Sequence, residues 1–257
     1  MTPGRVVLLA SEGPSSRMVF NALRARFPDV HAVVEAPVPR SVLVRRRLKK
    51  LGVVTVAGQL AFMGLAQPWL RRRGDRRIRQ ILAEHGLDDA PFPDSVTRVP
   101  SVNGEEARAA LRALDPAVVV VNGTRIIGRE TLAAVGCPVL NTHAGITPLF
   151  RGVHGGYWAL ADGRPDLAGT TVHFVDEGID TGRIVDQAPI AITPADSVAT
   201  YPYLHTAAGI GILLPAVERA LAGTLEPRTH DAGLPSRLRT HPTLWGYLAR
   251  RVLRGVR

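Results

Sequence analysis

Apolar runs and polar breaks alternate along the chain at the lengths of strands and helices. Residues 5–10 (RVVLLA) form a short β-rich apolar run, Ser-Glu-Gly-Pro-Ser-Ser follows as a turn, and residues 17–26 place apolar side chains at helical spacing. Ser15 or Ser16 is positioned to cap that helix, and Phe27-Pro28 to end it. Residues 31–35 (HAVVE) read as a second strand, so the opening is a βαβ unit. Residues 117–121 (AVVVV) have the unbroken apolar character of a strand buried on both faces. A helix is expected at about 128–135 and a strand at 139–142. Residues 169–175 and 183–192 alternate as strands, and Ser197 is placed to cap a long apolar helix reaching about residue 223 across Pro202 and Pro215. The pattern predicts an α/β fold, a Rossmann-like, doubly wound and mostly parallel sheet. Its catalytic domain covers residues 1–225, including a basic and apolar helical insert at about 37–95, and residues 226–257 form a basic, helical tail.

Residues 51–70 break this pattern. They carry no charge and are bracketed by Arg45, Arg46, Arg47, Lys49 and Lys50 on one side and Arg71, Arg72 and Arg73 on the other. The length could span a bilayer. Three glycines, two glutamines, Thr55 and Pro68 argue against a span, equally basic flanks specify no orientation, and the segment interrupts a βα series that must stay on one side. The favoured reading is a core or subunit-interface helical pair, followed by a segment lying in the membrane interface. Residues 241–257 have the composition of a basic amphipathic helix, read as packed on the domain with a solvated basic face.

Length and composition, 257 residues with 46% hydrophobic and 21% charged, suit one globular domain and exclude a disordered or fibrous chain. The net charge of +10 is unevenly held: residues 40–79 carry twelve basic side chains against Asp75 alone, and six arginines follow Asp231. A surplus so localised points to an anionic surface met by one insert and one tail. A single cysteine, Cys137, makes no internal disulfide, and the first ten residues lack a small-residue cleavage site, so a cytoplasmic protein is expected.

The densest polar cluster, from Asn141 to His154, follows a predicted strand, and the carboxyl ends of parallel strands are where open α/β sheets hold ligands. Asn141 and His143 are two apart, so in an extended segment both side chains leave one face. An amide N–H can hold an oxyanion and an imidazole can exchange a proton near neutral pH. On spacing alone, a satisfied structural histidine is the commoner explanation of His143. A second cluster, His173 to Gly182, is a strand end and a glycine-punctuated acidic turn; Asp180 there could orient and charge-stabilise His143, while Asp176 and Glu177 read as a solvated turn.

Asn141-x-His143, Pro148-x-x-Arg151-Gly152, Trp158-Ala159, Gly169-Thr-Thr-Val-His173 and Asp180-x-Gly182-x-Ile184-x-x-Gln187, in that order, resemble the folate-dependent formyltransferases. That family includes glycinamide ribonucleotide, methionyl-tRNA and sugar N-formyltransferases. The resemblance covers residues 110–192 closely and the N-terminal unit loosely; the insert and tail lie outside it. It implies the formyltransferase fold and transfer of a formyl group from 10-formyltetrahydrofolate to a primary amine, with Asn141, His143 and Asp180 as the catalytic triad. Asn141 and a protonated His143 would stabilise the tetrahedral oxyanion, and Asp180 would raise the histidine pKa. The cofactor pocket would use Arg125, Ile126, Ile127, Val175, Asp176 and Gly178. Ser15, Ser16, Arg151, His154, Tyr157 and His173 would serve the acceptor, His173 as a support near the Asp180 loop. No metal is implied, and His31, His85, His205, His230 and His241 lack ligand spacing.

Departures from the family pattern bear on the acceptor. The glycinamide ribonucleotide enzymes hold phosphate on a Gly-Asn-Gly-Ser-Asn type loop; here Glu12 would repel it and Pro14 lacks a backbone donor. The methionyl-tRNA enzymes add a C-terminal RNA-binding domain, for which the 70 residues after Gln187 leave no room. The run from Arg151 to Trp158 is most similar to the sugar N-formyltransferases, so the expected acceptor is an amino sugar carried on a nucleotide or lipid. The alternatives are phosphoribosylglycinamide formyl transfer in purine synthesis and a non-catalytic membrane- or RNA-binding protein of this fold. Expected partners are the small-molecule amine and an anionic membrane surface met by residues 40–79 and the tail, at the inner face of the membrane, with no nucleic acid and a possible homodimer.

Overall fold

The computed structural model describes residues 4–228 and 235–257; the predicted tail lies partly, and His230 wholly, outside them. β1 (Val6–Ser11) and β2 (Val30–Glu35) flank α1 (Pro14–Arg26). Pro14 occupies the first turn of α1, where its missing N–H costs nothing. Neither Ser15 nor Ser16 caps this helix; both hydroxyls turn instead to Asn122. The insert follows as α2 (Arg40–Leu51), α3 (Val53–Ala61), a π-helical turn (Phe62–Ala66) and α4 (Gln67–Glu84). Then come β3 (Thr97–Val99), α5 (Glu105–Leu114), β4 (Val118–Asn122), α6 (Arg129–Ala133), β5 (Val139–His143), β6 (Arg151–Gly152) and α7 (Gly155–Ala161). β7 (Gly169–Phe174) and β8 (Ile184–Pro189) form a hairpin, α8 (Tyr201–Leu221) crosses back, and β9 (Leu238–Arg239) and α9 (Leu244–Arg254) finish the chain.

Seven strands form one sheet in the order β3-β2-β1-β4-β5-β7-β8. The first five are mutually parallel, and β7 and β8 are antiparallel, which confirms the mostly parallel sheet. Successive residues of β1 and β4 supply opposite faces. Leu8 and Val120 meet α1 and α8 through Val19, Phe20, Leu23, Leu213 and Val217, while Val7, Leu9, Val119 and Val121 meet Ala107 and Leu111 of α5. The long helix begins at Tyr201, after Thr200, rather than at Ser197, whose carbonyl accepts the N–H groups of Thr200 and Tyr201 in the preceding turn.

A third core lies beneath the insert, where Phe62, Leu70, Ile78 and Ile81 pack with Tyr157, Trp158, Tyr201 and Tyr247. Residues 51–70 do not form a helical pair. The chain breaks once, at Gly52 (φ 77°), and then runs as a single helix of 32 residues, Val53–Glu84. The π-helical turn carries it past Pro68, with the Gln67 N–H bonded to Phe62 O. That helix has the length and composition of a membrane span. Its inner side is in the protein core, however, and Gln59 Nε2 donates to His241 O at 2.8 Å, so spanning would require unfolding the third core. The tail helix α9 is capped by Thr243, whose Oγ1 accepts the Gly246 N–H at 3.1 Å. Its exposed face is mostly apolar rather than basic: Trp245, Leu248, Val252 and Leu253 point outward, and the exposed Arg254 reaches back to donate to Ala161 O at 2.6 Å.

Candidate active site

The carboxyl ends of β4 and β5, with His173 of the antiparallel β7 and the turn after it, open into a cavity of about 430 Å³. Antiparallel pairing sets Asn141 of β5 opposite His173 of β7, and the Asn141 amide donates to His173 Nε2 at 3.1 Å. His173 can accept there because its Nδ1 donates to Phe174 O at 2.7 Å. His143, one turn of the pleat further along β5, is 6% exposed. Its Nε2 donates to Phe150 O at 2.7 Å, and its Nδ1 faces Asp180 Oδ1 at 3.4 Å. The loop wraps the ring so closely that a Cβ on Gly145 would lie 2.3 Å from Phe150 O and 2.7 Å from His143 Nε2. Asp180 holds its place with a positive φ of 52°, its Oδ2 accepting the Gly152 N–H at 2.9 Å. The three expected catalytic side chains therefore reach one cavity from one strand and a turn.

The electrostatics differ from expectation in one respect. Burial pushes the His143 pKa below its ordinary value, and the pull of Asp180 and of the Phe150 carbonyl does not restore it. Burial also pushes the Asp180 carboxyl up, but the neighbouring His173 and His143 rings and the Gly152 N–H leave it below the usual carboxylate range. At neutral pH the pair is a neutral imidazole beside a carboxylate. Nε2 is committed to a carbonyl, which leaves Nδ1 as the ring nitrogen that could accept a proton, beside a carboxylate that would stabilise an imidazolium.

Arg125, Ile126, Ile127, Val175, Asp176 and Gly178 line the same cavity, as does His173. The strip from Gly123 to Ile127 is fixed by two residues that sequence reasoning missed. Glu35, 4% exposed, accepts the Arg125 N–H at 2.7 Å and pairs with Arg125 Nε at 2.6 Å. Asn103 donates to Ile126 O at 2.8 Å and accepts from Gly128 N at 2.7 Å. A carboxylate ending an otherwise apolar strand was the available signal for Glu35; Asn103 gave none.

The acceptor residues divide. Ser16 is 1% exposed and bonded to Asn122, so it faces no ligand. Tyr157 is fully buried among Phe62, Trp158 and Tyr247 and cannot stack on an acceptor, because the tail helix covers α7. Arg151 turns away to Ser236 Oγ at 2.8 Å. Ser15 and His154 line a separate, mostly apolar cavity of about 500 Å³ against Met63 and Pro68 of the insert. His154 Nε2 lies 2.9 Å from His241 Nδ1, and burial lowers its pKa to about 4. A smaller cavity of about 210 Å³ shares Gly123 and Thr142 with the catalytic cavity and Ser15 and Thr206 with the apolar one. No group of His, Cys, Asp or Glu that could hold a metal occurs among the described residues.

Residues 6–214 match the formyl transferase family. The methionyl-tRNA formyltransferase of Pelotomaculum thermopropionicum is 34% identical over 157 residues, covering 58% of this chain and 49% of that protein. The phosphoribosylglycinamide formyltransferase of Mycobacterium tuberculosis is 42% identical over 93 residues, 36% of this chain and 43% of that protein. The chain thus spans about half the length of the relatives it matches. Among solved structures, a sugar N-formyltransferase from a Shewanella species aligns with a TM-score of 0.56 at 16% identity, over 91% of this chain and 76% of that one. A glycinamide ribonucleotide transformylase from Symbiobacterium toebii aligns with a TM-score of 0.55 at 20% identity, over 93% and 95%. At such identities the structural likeness shows the fold alone.

Proposed function

The chain belongs to the formyl transferase family, and from that premise we propose that it moves a formyl group from 10-formyltetrahydrofolate to a primary amine. The meeting of Asn141, His143 and Asp180 at one cavity carries the reading. The cavity fits the co-substrate: its volume of about 430 Å³ is that of a ligand pocket, and Ile126, 55% exposed at its wall, offers apolar surface to a flat ring. The amine attacks the formyl carbon, and the oxyanion that forms is held by the Asn141 amide proton not given to His173. His143 Nδ1 takes the proton lost by the amine and returns it to the departing folate nitrogen, with Asp180 stabilising the imidazolium between the two transfers.

We infer that the acceptor is an amino sugar carried on a nucleotide or lipid. The support is the loop at residues 11–16, where Glu12 pairs with Arg17 and Arg98 and both serine hydroxyls bond Asn122, a poor cradle for the phosphate of glycinamide ribonucleotide. The test is tetrahydrofolate release from 10-formyltetrahydrofolate with a panel of nucleotide-linked and lipid-linked amino sugars and glycinamide ribonucleotide. Turnover with an amino sugar supports the reading; turnover with glycinamide ribonucleotide alone replaces it, and absence of folate binding removes the enzyme reading.

The insert and tail support an anionic membrane as partner. From Val53 to Trp69 the exposed positions, Val53, Val54, Leu60, Leu65 and Trp69 among them, are apolar, and those of α9 lie alongside, with Trp245 packed on Gly58. Both stripes are bordered by arginine and lysine, the arrangement of an interfacial helix on acidic lipid. Flotation with phosphatidylglycerol vesicles but not with neutral ones is the expected outcome; flotation with neither removes this partner.

A further inference from the structure

We propose that Arg46, Arg47, Lys50 and Arg239 form a phosphate-binding subsite that holds the acceptor beside the catalytic cavity, a proposal resting on the formyl-transfer reading above. These four cations line a cavity of about 250 Å³ between α2, α3 and β9, together with Gln59, Val153 and His241. Among the described residues no acidic side chain lines it. Arg47 Nη1 contacts Met63 Sδ at 3.3 Å, and Arg239 is also paired with Asp162, which does not line the cavity. Two further atoms are poised for a ligand. Arg239 Nε is a buried donor without a partner, and Gln59, 1% exposed, has an unpartnered Oε1. The Gln59 amide cannot turn to relieve this, because its Nε2 donates to Thr240 Oγ1 at 3.2 Å and His241 O at 2.8 Å. A buried acceptor left open among four cations suits a ligand that brings a hydroxyl along with its phosphate. The volume is below the about 300–1,000 Å³ of sites that enclose whole ligands, so it suits one group of a larger molecule.

Its position supplies the rest of the argument. Val153 lines both this cavity and the catalytic one. Gly152, its neighbour, pairs with Arg239 across the β6–β9 ladder and donates its N–H to Asp180. A ligand whose phosphate sits on the insert is therefore one residue away from the catalytic carboxylate. The loop at 11–16 has its acid paired and its hydroxyls occupied, and the cations stand on the insert instead.

The test is calorimetric titration of the full chain with inorganic pyrophosphate. Arg46→Glu with Lys50→Glu changes two exposed side chains of the cavity; Arg72→Glu with Arg76→Glu makes the same charge change on α4, outside it. The first pair is expected to weaken pyrophosphate binding at least about tenfold and the second less than about twofold, with tetrahydrofolate affinity unchanged in both. Equal weakening by the two pairs, or none by either, overturns the subsite. Tighter binding of UDP than of pyrophosphate would support a nucleotide-borne acceptor, and binding of phosphatidylglycerol vesicles that pyrophosphate displaces would support a lipid-borne one. Pyrophosphate binding as expected without tetrahydrofolate binding would remove the reaction and leave the subsite. Formyl transfer without pyrophosphate binding would do the reverse.

Discussion

The end of the sheet that holds the catalytic cavity and the helical layer built by the insert and tail are made on opposite plans. In the first, apolar side chains face inward and polar groups converge on a cavity: Val118, Val120 and Leu140 are buried, and Asn141, His143 and Asp180 emerge at the strand ends. In the second, apolar side chains occupy both sides of a helix. Phe62 and Leu70 are in the core, while Val53, Val54 and Leu65 of the same helix are 72%, 73% and 67% exposed. Stability explains the inner set alone. The outer set is exposed apolar surface between two basic blocks, the face that the proposed membrane partner would cover.

The largest effect that would sharpen this contrast is on catalysis. His143→Ala is expected to lower formyl transfer by about 10²–10⁴-fold in a steady-state assay, while flotation on anionic vesicles stays as in the wild type. Residual turnover within about tenfold of wild type would remove His143 as the proton carrier. The pH profile tests the same group. With its pKa below the ordinary histidine value, the base form prevails at neutral pH, so kcat is expected to be flat above about pH 7 and to fall as the pH drops below 6.5. Asp180 raises that pKa, so Asp180→Asn should move the acid limb to lower pH as well as slowing turnover; a limb that moves upward contradicts the assigned pairing. Asp180 also links pH to stability. Its folded pKa is depressed, so its contribution is present above the unfolded carboxyl pKa and is lost as pH falls through the folded value.

Most of the sheet, and the convergence of the candidate site residues on one cavity, was legible in the sequence, for a physical reason. A strand covered on both faces must be apolar throughout, so β1 and β4 announce themselves, and the candidate site residues lie at the end of β5 and in the turn after β7. What was not legible depends on distant coverage. Tyr157 resembles a ligand-facing aromatic until α9, some ninety residues later, is laid over it beside Tyr247. The acid that fixes the Arg125 strip, Glu35, lies ninety residues from its partner. Arginines mark the tail helix as basic, yet they border it, and its outward face is Trp245, Leu248 and Val252. Sequence periodicity shows that a helix has two faces, but packing decides which one is covered.

Phe62→Ala probes the inner side of the insert. The side chain is 0% exposed and its ring lies 5.2 Å from that of Tyr247, so truncation is expected to cost about 3–5 kcal/mol in denaturant unfolding. A loss below about 1 kcal/mol would mean that the insert is not coupled to the sheet's stability.

Val53→Ser with Val252→Ser probes the outer side, where the expected change in stability is the smallest. The two side chains are 72% and 81% exposed, so removing them creates no cavity, and surface substitutions of this kind fall within about ±0.5 kcal/mol. Turnover with a soluble acceptor should also be unchanged, because neither residue lines the catalytic cavity. Membrane binding should respond differently, since each buried apolar side chain adds to partitioning and these two sit at the start of α3 and near the end of α9. Loss of flotation with unchanged unfolding would establish that the outer apolar set serves a lipid surface. Destabilisation of more than about 1 kcal/mol would show that these side chains are covered within the protein, by a second copy of the chain, and a shift of the variant to monomer in light scattering would identify that cover.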